Sequence, residues 1–151
     1  MKKRLILAVI LIMMLTGCSK TVSYKYNEAE SQNGDWSVES GKILVRDGED
    51  LVKFKVKYEG ETLISEGKQW DCRVMVCKKN VKSSFDNAIT LCSRTDINGI
   101  EIAKGDKKVM DNDNDIIDIE NDYDFSTIYL SIRYSKENVD SEDIIEVSLK
   151  K

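Results

Sequence analysis

Apolar and polar residues alternate in short runs from Asp35 onward. In Leu51-Val52-Lys53-Phe54-Lys55-Val56-Lys57-Tyr58, Val52, Phe54, Val56 and Tyr58 share one face and three lysines share the other. Such a period of two predicts an antiparallel strand with one buried and one wet face. Trp70 to Cys77 repeats the pattern with Trp70, Cys72, Val74 and Val76 inward. Residues 127–134 do so with Ile128, Leu130, Ile132 and Tyr134, and the C-terminal segment with Ile145, Val147 and Leu149. Shorter strands are predicted at 36–39, 42–46, 88–93, 99–103 and 116–120. Turn signals stand between them at Asp47-Gly48, Glu59-Gly60, Asn98-Gly99 and Gly105-Asp106. No run of ten residues carries a 3.6 period. Seven to nine strands at this spacing predict an all-β fold, a single antiparallel β-sandwich over residues 35–151, with a barrel as the alternative. Immunoglobulin-like architecture is the expectation within that class, although the Cys, Trp, Cys spacing of antibody domains is missing.

The N-terminus follows a different pattern. Met1-Lys2-Lys3-Arg4 precedes eleven uninterrupted apolar residues, Leu5 to Leu15, and the chain then reads Leu15-Thr16-Gly17-Cys18. Eleven residues are too few to cross about 30 Å of hydrocarbon as a helix, which takes roughly 20. A basic start, a short apolar run and small residues are the parts of an export signal. With its terminal cysteine, this string resembles the lipobox of bacterial lipoproteins. The resemblance implies that residues 1–17 are a signal peptide and that Cys18 becomes the first residue of the mature chain. It further implies that the Cys18 thiol carries diacylglycerol and that the α-amine can take a further acyl group such as palmitate. Two chains at about 0.8 kcal/mol per buried methylene hold a protein stably on a membrane.

Residues 18–34 are rich in Ser, Lys, Glu and Asn and read as a lipidated tether, with a short strand at 22–26 as the alternative. A flexible coil of about 16 residues spans roughly 20–24 Å. Loss of residues 1–17 removes three cations and no acids, moving the formal net charge from −4 to −7. So acidic a surface, with no basic run interleaved with aromatics, argues against nucleic acid as a partner. Anionic lipid repels it as well, which leaves the diacylglyceryl anchor to make the membrane contact.

The chain contains no histidine and no proline. The first absence removes Ser-His and Cys-His nucleophile pairs and imidazole metal sites. Export would place Cys72, Cys77 and Cys92 where disulfides persist, and an odd number leaves one unpaired. A hairpin centred near Lys82 would set Cys72 opposite Cys92, so that a bridge between them is one reading. Reduced thiols packed as small hydrophobes are the other. Cys77 has the opposite parity to Cys72, and thiols split across two faces do not form a tetrahedral metal site. Asp111, Asp113 and Asp115 alternate in a run that resembles the start of an EF-hand loop. The run then departs from that pattern, with Ile116 at position six and Asp122 at position twelve. A solvated loop is expected there, and a calcium site of looser design is the alternative. Tyr129, on the face opposite Ile128 and Leu130, is a possible exposed stacking surface for sugars or peptides.

No motif implies a cofactor or a resident metal. The expectation is a lipoprotein held on the extracytoplasmic face of the cell membrane. Its domain would bind a protein or cell-envelope partner, or make structural contact, without catalysis. A small extracytoplasmic enzyme or enzyme inhibitor is the alternative.

Overall fold

The computed structural model describes residues 22–30, 34–45, 51–64, 70–96, 101–112, 123–136 and 139–151. Cys18, the signal segment and the 116–120 strand expectation lie outside these. Among the described residues the fold is all-β, with one short 3₁₀ turn at Phe85–Asn87 and no α-helix. The strands are β1 (Val22–Glu30), β2 (Trp36–Val45), β3 (Leu51–Tyr58), β4 (Trp70–Lys78), β5 (Ile89–Asp96), β6 (Lys107–Asn112), β7 (Tyr123–Lys136) and β8 (Val139–Lys150). All pairings are antiparallel, and the order across the sheet is β5-β4-β7-β8-β1-β2-β3-β6.

One continuous ladder therefore joins all eight strands, and the sheet curls until it is nearly barrel-shaped. The two edges approach closely enough for Arg94 Nη1 on β5 to donate to the Val109 carbonyl on β6 at 3.0 Å. The two-sheet, immunoglobulin-like arrangement is not confirmed. Alternation and turn spacing are the same whether strands divide into two sheets or one sheet coils. Coiling is driven here by irregularities that the hydropathy pattern does not announce. Register shifts fall at Tyr26/Glu28 in β1 and at Val38/Ser40 in β2, and two more fall opposite Val74/Met75 and Val76/Cys77 of β4, where the extra residues are Leu91 on β5 and residues 125–127 on β7. Each such bulge sharpens the local twist and bends its strand.

The bulge in β2 also explains why its sequence reads as two fragments. Trp36 and Val38 point inward at even positions, and Ile43 points inward at an odd one, because the extra residue flips the parity between them. Gly41 lies across from Phe54, and a Cβ on Gly41 would overlap the Phe54 ring. The glycine lets that ring lie flat against the backbone.

The inward sets expected for β3, β4, β7 and β8 are all buried in one cluster, Val52, Phe54, Val56, Tyr58, Trp70, Cys72, Val74, Val76, Ile128, Leu130, Ile132, Tyr134, Ile145, Val147 and Leu149 among them. Two expectations are corrected. Residues 22–30 form a strand hydrogen-bonded on both sides, to β2 and to β8, so most of the supposed tether belongs to the sheet. The expected strand at 99–103 reduces, among its described residues, to a single bridge between Ile102 and Ile64. The turn at Gly105-Asp106 is present, with Gly105 at φ 92° in the left-handed region that glycine tolerates.

Candidate functional site

One end of the barrel is closed by aromatic rings. Trp36 lies 5.0 Å from Tyr58, 6.0 Å from Trp70 and 6.0 Å from Tyr134, centroid to centroid. Polar groups cap this plug. The Tyr134 hydroxyl donates to Asp35 Oδ2 at 2.9 Å and lies 3.3 Å from both Asp143 oxygens, while the Asp35 N–H donates to Asp143 Oδ2 at 2.6 Å. Burial, with the Asp35 charge adding to it, raises the Asp143 pKa. Burial also raises the Tyr134 pKa, and the hydrogen bond to Asp35 works in the same direction. An acid held above its unfolded value favours its protonated form in the native state. Its contribution is present below the unfolded pKa, about 3.9 for aspartate, and is lost as pH rises through the folded value. Asp143→Asn keeps an acceptor for the Asp35 N–H and removes the charge. It is expected to raise the melting temperature at pH 7, with the gain vanishing below about pH 4. A loss of equal size at both pH values in calorimetry would contradict this.

The three cysteines are free and buried. Cys92 stands opposite Val74, and Cys72 opposite Arg94, two residues away from the register that would have set the thiols face to face. The β4–β5 connection and the bulge opposite Val74/Met75 set this offset. Burial pushes the Cys92 thiol up to about 12 and raises that of Cys72 as well, so neither is a ready nucleophile. Cys77 is buried outside the main cluster, as its parity requires, and its thiol donates to the Ser84 carbonyl at 3.4 Å.

The same connection corrects the expectation for Tyr129. Its side chain is on the outer face but buried, because residues 83–85 fold back across it. The Ser83 and Tyr129 hydroxyls share a hydrogen bond at 3.2 Å, and the Phe85 ring meets Tyr129 edge-on at 6.2 Å. No stacking platform is left exposed there.

Of the acidic run, Asp113 and Asp115 lie outside the described residues. Asp111, next to the last residue of β6, pairs through Oδ2 with Lys53 Nζ at 2.8 Å. Among the described residues no group of three or more acids or thiols is placed to hold a metal ion.

The feature with the clearest chemistry was not visible in any single segment. Lys25 on β1 stands directly opposite Lys150 on β8 and Lys42 on β2, and Lys42 stands directly opposite Lys53 on β3. Residues facing one another across antiparallel strands share a face of the sheet. Four lysines on four neighbouring strands therefore form one continuous row on the outer wall. Asp111 ends the row, being opposite Lys53. Lys55 lies two residues further along β3 and pairs with Glu39 at 3.5 Å. Lys25, Lys42 and Lys150 form no ion pair among the described residues.

Beside the row runs a groove of about 370 Å³, walled by Lys25, Lys42, Lys53 and Lys55 with Tyr26 and Val109. Ser40 and Gly41, at the bulge of β2, complete its lining. A strand-by-strand reading takes each of these lysines as part of an ordinary solvated face. The register supplies the signal that unites them.

Comparison with protein-family models, with curated proteins and with solved structures gives no significant match.

Proposed function

We propose that this chain is a bacterial lipoprotein, anchored through Cys18 on the extracytoplasmic face of the cell membrane, whose β-domain acts by binding at its surface. The observation that carries the anchor is the string Leu15-Thr16-Gly17-Cys18 behind a basic start and eleven apolar residues. Among the described residues no helix is long and apolar enough to cross a membrane. With β1 beginning at Val22, three residues separate Cys18 from the sheet, a reach of about 10 Å when extended. The domain then sits against the headgroups instead of swinging on a long tether.

Binding is favoured over catalysis because the interior is filled by apolar side chains, Trp36, Trp70, Tyr58 and Phe54 the largest, while the lysine groove lies on the outer wall. Ring contacts from Trp36 on β2 to Trp70 on β4 and Tyr134 on β7 cross the interior. They support reading the curled sheet as sandwich-like in cross-section, with one half packed on the other.

The anchor is tested by expressing the full chain and Cys18→Ser in a bacterial host with a labelled fatty acid. Wild type is expected to yield a chain that begins at Cys18 and carries diacylglyceryl mass. Cys18→Ser is expected to remain uncut and unlabelled. A mature chain beginning elsewhere, or without lipid mass, ends this reading.

A further inference from the structure

We propose that the lysine row on the outer wall is a binding site for a linear polyphosphate chain. This names a partner for the surface-binding reading above and rests on it, but not on the anchor. Three observations converge. The first is the row itself, Lys150, Lys25, Lys42 and Lys53, placed directly opposite one another on adjacent strands. Neighbouring strands lie about 4.7–4.9 Å apart, so the row covers roughly 14 Å with one ammonium per strand. Like charges directly opposite one another in a sheet destabilise it. Neighbouring strands in the row are closer together than the Debye length of about 8 Å, so salt relieves the repulsion between neighbours only in part. A counter-charge from outside the chain relieves it fully.

The second observation is the lack of an internal remedy. The chain has an excess of acids, 27 Asp+Glu against 23 Lys+Arg. On this same wall Glu39 serves Lys55 and Lys107, Glu59 serves Lys57, and Asp111 serves Lys53. Lys25, Lys42 and Lys150 are left without a carboxylate among the described residues. Acids are plentiful, yet among the described residues none reaches these three.

The third is shape. Three lysines of the row, Lys25, Lys42 and Lys53, wall a concave groove together with Lys55, Tyr26 and Val109. A chain of repeating anions can lie along such a groove and engage successive lysines. A flat bilayer touches the rim of a groove on a curved wall and leaves the floor unmet. A single small anion would satisfy one or two lysines and leave the rest of the row unrelieved.

The test uses the full chain in neutral detergent, with long-chain inorganic polyphosphate as the probe. Inorganic phosphate and phosphatidylglycerol vesicles are the comparators. Saturable polyphosphate binding is expected, with log affinity falling linearly against log salt as counterions are released. The pair Lys25→Gln with Lys42→Gln is expected to bind at least about 10-fold more weakly near 50 mM salt and to flatten the salt slope by about 1.5. Lys25→Arg with Lys42→Arg should keep the affinity, since the charge stays in place. The charge-matched pair Lys78→Gln with Lys82→Gln, at the β4–β5 connection, should change it little. The Gln pair should melt no lower than wild type, because removing opposed like charges relieves strain in the sheet. Polyphosphate should raise the wild-type melting temperature and raise that of the Gln pair less.

Four outcomes overturn the proposal: no polyphosphate binding, equal weakening by the two Gln pairs, inorganic phosphate binding as tightly as the polymer, or lysine-dependent binding to vesicles alone. A loss of affinity in the Gln pair accompanied by a lower melting temperature is resolved by Lys42→Gln alone, whose affinity must still fall. None of these outcomes touches the Cys18 processing result, so the anchor and the polyanion site fail separately.

Discussion

Trp36→Ala is expected to cost about 4 kcal/mol, the scale of a large aromatic removed from a closed core. Trp36 is 1% exposed, and its ring meets Tyr58, Trp70 and Tyr134, which stand on β3, β4 and β7. It therefore fastens the two sides of the curled sheet to each other at the aromatic end. No neighbour can refill that volume cheaply, because Tyr134 is tied by its hydroxyl to Asp35 and Tyr58 by its hydroxyl to the Thr62 carbonyl at 2.7 Å. Native domains are stable by about 5–15 kcal/mol, so the variant loses a large share of the total. Trp36→Phe should retain more of it. The phenyl ring keeps part of the contact and drops the indole N–H, which is buried without a hydrogen-bond partner. Lys55→Ala, on the outer face of β3, should stay within about 0.5 kcal/mol. Urea unfolding ranks the three. A Trp36→Ala cost below that of Lys55→Ala would show that the inner and outer faces have been assigned the wrong way round.

Removing β1 is expected to abolish folding. A chain beginning at residue 31 lacks the strand that lies between β8 and β2 in the sheet order. Its loss splits the ladder into β5-β4-β7-β8 and β2-β3-β6, exposing two long strands with unpaired N–H and C=O groups. It also removes Tyr24, whose ring packs at 5.3 Å on Phe125. Circular dichroism and denaturant titration of residues 31–151 should show no cooperative transition, whereas residues 19–151 should unfold in one step. A cooperative transition in the shorter chain would restore the boundary at residue 35 that the hydropathy pattern suggests.

That boundary was misplaced for a physical reason. β3, β4, β7 and β8 were legible because aliphatic and aromatic residues fill every second position on one side, which an antiparallel strand with one dry face requires. β1 offers only Val22, Tyr24 and Tyr26 before its bulge, set among Ser, Lys, Asn and Glu, the composition of a linker. Its neighbours on both sides supply the hydrogen bonds that make it a strand. β6 was missed for a similar reason, since it sends a single large apolar residue, Met110, into the core. Chemistry was less legible than fold. Parity placed Tyr129 on the outer face correctly, but nothing local revealed that Ser83 and Phe85 would cover it. The lysine row depends on three registers at once, and a register slip of one residue in β2 would scatter it.

β1 pairs with β8, so the centre of this sheet is a seam between the two ends of the described chain. During synthesis β1 emerges first and waits for Leu149, its partner at Tyr26, while the remaining strands form hairpins around the gap. Closing the seam carries the largest loop-closure cost in the fold, and its return comes only when the last strand is in place. Folding speed is then governed by that one late encounter. Changes along the β1–β8 seam should act on the rate of folding, whereas changes within the β2–β3 or β4–β5 hairpins should act mainly on the rate of unfolding.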